Sequence, residues 1–110
     1  MHINAYIDLM KMDQARAQAR VLKALANPVR LMIVHTLAKG ERCVCELQPL
    51  FDIDQSTLSR HLASLKRAGV VLERRDGVKI MHRLATPCVL RAFDCAMDVI
   101  RANQRKARRA

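Results

Sequence analysis

Apolar residues recur along this chain at spacings that change from one segment to the next, and the changes mark its elements. Over residues 1–26, Leu9, Met12, Ala15, Ala19, Leu22 and Leu25 follow one another at three- and four-residue steps, a single helical stripe. Asn27-Pro28 ends that helix and begins another over 28–38, with Asn27 as its cap and Pro28 at its first position. Val29, Ile33, Val34 and Leu37 face inward there, and Gly40 terminates the run. A short helix over 43–51 sets Leu47, Leu50 and Phe51 on one side.

The next segment is the most readable. Asp52–Asp54 form a turn, Asp54 caps a helix over 55–68, and Gly69 closes it. Leu58, Leu62 and Leu65 fall within about 60° on a helical wheel and mark the buried stripe. Ser56, Arg60, Ala63 and Arg67 stand opposite, short or basic, with nothing bulky to keep that face out of a groove. Two β-rich runs then flank Asp76-Gly77, the signature of a hairpin with a type I′ turn, so strands are expected at 70–75 and 78–84. In the second strand Val78, Ile80 and Leu84 point inward, alternating with Lys79, Met81 and Arg83. Thr86-Pro87 opens a last helix over 86–105 whose apolar face carries Val89, Phe93, Ala96, Met97 and Ile100, and a basic tail fills 106–110.

These elements describe a mainly α domain with a β-hairpin: a winged helix-turn-helix of about five helices, in one domain over 1–110. The helix-turn-helix spans 43–68 and the wing 70–84. The terminal helices are more apolar than so small a core needs, so 1–26 and 86–105 are expected to pair in a homodimer.

Charge narrows the partner. Twenty Lys and Arg against ten Asp and Glu give a net +10 over 110 residues, a field that captures polyanions. One Tyr, two Phe and no Trp leave almost no platform for stacking unpaired bases, so duplex DNA is favoured over single strands or RNA. No apolar run is long enough to span a bilayer and no secretory signal heads the chain, so the expectation is a cytoplasmic protein without a membrane partner. No Ser-His-Asp set, glycine-rich phosphate loop or opposed carboxylate pair points to an enzyme or an organic cofactor. The candidate DNA-reading residues are Gln55, Ser56, Thr57, Ser59, Arg60 and His61 on the second helix of the pair, with Arg74, Arg75 and Lys79 on the wing. Arg60 is the best placed for a guanine or a phosphate, whereas His61 lies near the core stripe.

The run ERCVCEL at 41–47, followed by STLSRHLASLKRAGVVLERRDGVKIMHRL at 56–84, resembles the ArsR (ArsR/SmtB) family of metal- and metalloid-responsive repressors. ALANPVRLMIVHTLAKG at 24–40 is similar to that family's second structured helix, and the resemblance covers residues 20–85. It implies a homodimer on an imperfect inverted repeat that blocks a resistance operon until an inducer binds. The Cys-Val-Cys match is particular to the arsenic and cadmium-lead branches.

Four cysteines, Cys43, Cys45, Cys88 and Cys95, form the candidate metal site, with As(III) or Sb(III) as the expected inducer and Cd or Pb as alternatives. In a regular helix Cys43 and Cys45 point about 200° apart, so one ion shared by both requires the start of that helix to deform, which would disturb the DNA-reading helix behind it. The arsenic-branch pattern Cys-x-Cys-x-x-Cys has Gln48 in its third place here. A third sulfur then has to come from Cys88 or Cys95, seven residues apart and about 10.5 Å along the axis, with Cys95 nearer the dimer face. The last helix offers Asp94 and Asp98 without histidine, so zinc is not expected there. A second reading is a thiol-redox or polysulfide sensor that links Cys43 to Cys88 or Cys95; a third is a constitutive architectural DNA-binding protein with inert cysteines.

Overall fold

Asn27 does what its position in the sequence requires. Its Oδ1 accepts from the backbone N–H of Val29 at 2.9 Å and of Arg30 at 3.2 Å, ending α1 (Ala5–Leu25) and starting α2 (Pro28–Leu37). The computed structural model describes residues 5–109, with side chains from Lys11 onward. The expected helical start at 1–4, and the place of Leu9 on the stripe, lie outside what is described.

After α2 come β1 (Arg42–Cys43), α3 (Val44–Leu47) and a 3-10 turn over Gln48–Leu50. These replace the single helix expected over 43–51. Cys43 is extended (φ −84°, ψ 167°) because it is the cap of α3, and this lets β1 pair with the wing. Of the three residues assigned to one inward side, Leu47 is fully buried, Phe51 is half-buried and Leu50 is exposed, since the 3-10 turn rotates Leu50 out.

The helix α4 (Gln55–Arg67) is capped by Asp54, whose Oδ1 accepts from Thr57 N–H at 2.7 Å. It closes in a Schellman arrangement: Gly69 N–H donates to Lys66 O and Val70 N–H to Leu65 O, with Gly69 at φ 81°. Leu58, Leu62 and Leu65 are buried together with Leu25, Ile33, Val34, Leu37, Leu47, Val70, Val71 and Leu84. This core lies between α2, α3, α4 and the base of the sheet.

The antiparallel sheet runs β1-β3-β2, with β2 at Val71–Asp76 and β3 at Lys79–Leu84. The sequence did not announce β1. Its two residues pair as Arg42↔His82 and Cys43↔Met81. In the hairpin Asp76 pairs with Lys79, which leaves Gly77 and Val78 as the two loop residues. Gly77 has φ 63° and no non-glycine residue described has positive φ, so the turn follows the II′ pattern with glycine first, not the expected I′. The expectation for Val78 fails accordingly: it sits at the tip, 100% exposed. Ile80, His82 and Leu84 share one face of β3, but only His82 and Leu84 are buried; Ile80, expected to point inward, is 43% exposed because it lies near the tip, beyond the core.

The last helix, α5 (Val89–Arg109), starts after a turn in which Val89 N–H donates to Thr86 O, and it continues as helix through most of the expected basic tail. Val89, Leu90 and Phe93 pack on the core, and the Phe93 ring lies 5.0 Å from that of His35. Beyond Phe93 the helix buries nothing: Met97, Val99 and Ile100 are exposed, as are Met12, Val21 and Leu22 on α1. The radius of gyration, 17.7 Å, exceeds the roughly 13 Å of a compact chain this long because both terminal helices project. Among the described residues no helix is long and apolar enough to cross a membrane.

Candidate DNA interface and cysteine site

The exposed side of α4 holds the sequence-predicted residues Gln55, Ser56, Ser59 and Arg60. Ser56 Oγ donates to Asp54 Oδ1 at 3.0 Å, so cap and first turn form one unit with backbone N–H groups directed outward. Two hydrogen bonds from Thr57 and one from Ser56 hold the Asp54 carboxyl below the usual aspartate range. Thr57 is half-buried.

His61 departs from the rest. It is half-buried and its Nδ1 accepts from Arg30 Nε at 3.0 Å, so the side chain is turned towards α2. Burial, and then the adjacent guanidinium, push its pKa below the ordinary 6.5. A neutral imidazole serves here as an acceptor inside the protein.

The strand register divides the wing. Arg74 and Lys79 lie on one face, and Arg75 lies on the other with Ile80 and His82. Arg75 and Lys79 are exposed without an acidic partner among the described ion pairs. Arg74 is engaged: its Nε and Nη2 bind the Glu41 carboxylate at 2.9–3.1 Å. That bidentate contact is the largest cause of a lowered Glu41 pKa and a raised Arg74 pKa. On the inner face Lys66 Nζ reaches Glu73 Oε2 at 2.8 Å, and Glu73 Oε1 lies 3.4 Å from Nε2 of the buried His82. Lys66 therefore ties α4 to the wing, and its hydrogen bond holds Glu73 below the usual glutamate range.

Cys43 and Cys45 are joined by a disulfide with Cα atoms 5.2 Å apart. The expectation that helix geometry keeps these sulfurs apart is corrected: only Cys45 is helical, and the extended cap at Cys43 turns both towards each other. Cys43 is buried at 2% exposure and Cys45 faces solvent, one sulfur protected and one accessible. The helix start need not unwind for the two sulfurs to meet. Glu46 Oε1 accepts from Cys43 N–H at 3.1 Å and steadies the cap.

Cys88 and Cys95 are free and exposed. Cys88 precedes α5, and Cys95 lies about 200° around it from Phe93, off the apolar face. Among the described residues no three His, Cys, Asp or Glu side chains gather as a metal site within one chain, so the four cysteines are not brought together.

Four residues that sequence reasoning missed do structural work here. Glu41 and Glu73 anchor the wing, and Arg30 reaches α4. Gln48, noted only as a poor soft-metal ligand, donates through Nε2 to the Ile53 carbonyl and braces the turn of the helix pair. Arg42, Cys43 and Cys45 lie where wing and helix pair join.

Comparison with known proteins agrees with this architecture. A family model described as bacterial regulatory protein, arsR family, matches residues 27–72. The biofilm growth-associated repressor of Agrobacterium fabrum is 49% identical over 72 residues, 66% of this chain and 62% of the relative. The arsenic resistance transcriptional regulator ArsR1 of Pseudomonas putida is 40% identical over 86 residues, 76% of this chain and 66% of the relative. The chain thus spans a little under two thirds of the length of each. The solution structure of a homodimeric winged helix-turn-helix DNA-binding domain from Mycobacterium bovis, a possible ArsR-family transcriptional regulator, superimposes with a TM-score of 0.72 at 38% identity. That superposition covers 82% of this chain and 83% of the other.

Proposed function

The chain belongs to the ArsR family of bacterial regulatory proteins, and on that basis we propose that it is a homodimeric transcriptional repressor that releases operator DNA when the Cys43–Cys45 pair closes. The observation that carries this is the meeting of the two sulfurs at the junction of β1 and α3. Supporting it are the open face of α4, the basic wing tip, and the unpaired apolar faces of α1 and α5, which a second copy would cover. The M. bovis neighbour is a homodimer.

Closing the pair is a two-electron oxidation. The Cys45 thiolate takes an electrophilic sulfur or oxygen from a polysulfide or peroxide, and the Cys43 thiolate then displaces that leaving group as a sulfide or water. The bond pins β1 to the first turn of α3. In that closed state Glu41, two residues before Cys43, occupies Arg74. On this reading closure keeps Glu41 on Arg74 and so withdraws one wing cation from DNA.

A second reading keeps the pair and changes its ligand. Two thiolates that meet also grip As(III) or Sb(III), and the 40% identity to an arsenic resistance regulator favours this. Among the described residues no third sulfur gathers with the pair in one chain, so the remaining position falls to solvent or to Cys88 or Cys95 of a second copy. The test is operator binding by the reduced protein with polysulfide or with As(III) added under reducing conditions. Release by polysulfide alone supports the redox reading, release by As(III) alone the metalloid one, and release by neither sinks both.

A further inference from the structure

Arg30 is half-buried on the first turn of α2, and its guanidinium reaches two other elements, α1 and α4. Nε donates to His61 Nδ1 at 3.0 Å, Nη1 to the Ala24 carbonyl at 3.2 Å and Nη2 to Ser64 Oγ at 3.2 Å. Ala24 is in the last turn of α1, and His61 and Ser64 stand three apart on one flank of α4. None of the described ion pairs gives Arg30 a carboxylate, so its whole fork is spent on holding helices together.

The leucine stripe of α4 fixes how deep the helix sits, but apolar contacts are non-directional and tolerate rotation about its axis. Directional bonds on one flank do not. At the roughly 5–6 Å radius of the side-chain shell, a 20° turn displaces a tip by about 2 Å, enough to lose a bidentate base contact. Arg60 is the immediate neighbour of His61, so the bond to His61 also sets the direction of Arg60.

We propose that Arg30 is a positioning residue for DNA reading: it locks the rotation of α4 to the end of α1, so that the base-facing side chains keep register with the dimer helix. This rests on α4 being the reading helix, as proposed above. The bond requires a neutral His61, because a protonated imidazole offers Nδ1–H to another donor. The charged group bonded to His61 is Arg30, and the Arg67 guanidinium donates to the same Ser64 Oγ at 3.2 Å; Ser64 and the Ala24 carbonyl, which share the fork, do not titrate.

The test uses a duplex that the full wild-type chain selects from a random pool, with a scrambled duplex as reference. Arg30→Met is expected to lose on the order of tenfold on the selected duplex and less than twofold on the scrambled one, with the salt slope unchanged, since no phosphate contact is removed. Arg30→Lys, which keeps the charge without the fork, falls between them and serves if Arg30→Met does not fold. Wild-type preference holds from pH 8 to pH 6.5 and declines on further acidification, because the His61 pKa lies below 6.5, while His61→Gln, whose Oε1 accepts without titrating, holds its own pH 8 preference throughout, whatever its level. A purely structural Arg30 lowers thermal stability and leaves the preference of the folded protein intact, which overturns the proposal. Equal losses on both duplexes with a salt slope reduced by about one also overturn it, by making Arg30 a phosphate contact. A wild-type protein that selects no sequence overturns this reading and the repressor reading together; a selected duplex that Arg30→Met binds normally overturns this one alone.

Discussion

Arg74 and Glu41 meet across the base of the wing in a fork-to-carboxylate contact, Nε at 2.9 and 3.1 Å from the two oxygens and Nη2 at 2.9 Å from one. A wing cation proposed for the DNA backbone is thus held by an acid on the segment that leads into Cys43. The pair is exposed and adds little to stability. Its effect is on what the wing can reach.

Glu41→Gln therefore frees Arg74. Affinity for any duplex at low salt rises about two- to fivefold and the salt slope steepens by about one, read by fluorescence anisotropy over a salt series. Thermal stability stays the same. An unchanged slope means that Arg74 does not reach phosphate.

Asp54 makes an acid-sensitive cap. Its carboxyl lies below the ordinary 3.8 because Thr57 and Ser56 donate to it. A lowered folded-state pKa contributes stability that is fully present above 3.8 and lost as pH falls through the lower folded value. Asp54→Ala is expected to lower the midpoint of thermal unfolding by a few degrees at pH 7. Followed by circular dichroism, the gap to wild type closes as the solution is acidified; a gap that persists below pH 2 contradicts the assignment.

The apolar faces of α1 and α5 predict association. Leu22 is 56% exposed and Ile100 44% exposed, although both belong to helical stripes. Leu22→Glu or Ile100→Glu is expected to shift the protein from dimer to monomer in sedimentation and to weaken operator binding at least tenfold, because two linked half-sites become two separate events. A wild-type chain that sediments as a monomer at micromolar concentration contradicts this.

Much of the fold was legible because local chemistry and tertiary structure agree. Asn27-Pro28, Asp54, Gly69 and the leucine stripe each set an element boundary or face through contacts within a few residues. What was not legible depends on distant partners. The extended cap at Cys43 brings the two sulfurs together, and Arg42 and Cys43 count as a strand only because β3 offers a ladder to that extended backbone. His82 occupies a buried place on β3 since Glu73, opposite it, gives Nε2 a polar neighbour, a pairing no periodicity announces. Val78 was misplaced because one residue of turn register moves a side chain from face to tip. Arg30 to His61 spans 31 positions and Glu41 to Arg74 spans 33, beyond any local pattern.

The central claim is that the state of Cys43 and Cys45 governs the grip on DNA, and the most direct measurement is anisotropy on the selected duplex with the pair reduced, then closed by polysulfide, then reduced again. The account predicts a loss of at least tenfold on closure, full recovery on reduction, and no response in Cys45→Ser while a Cys88→Ser/Cys95→Ser chain responds as wild type. Equal affinity in the open and closed states, with the Cys43–Cys45 bond verified by mass spectrometry, would contradict it.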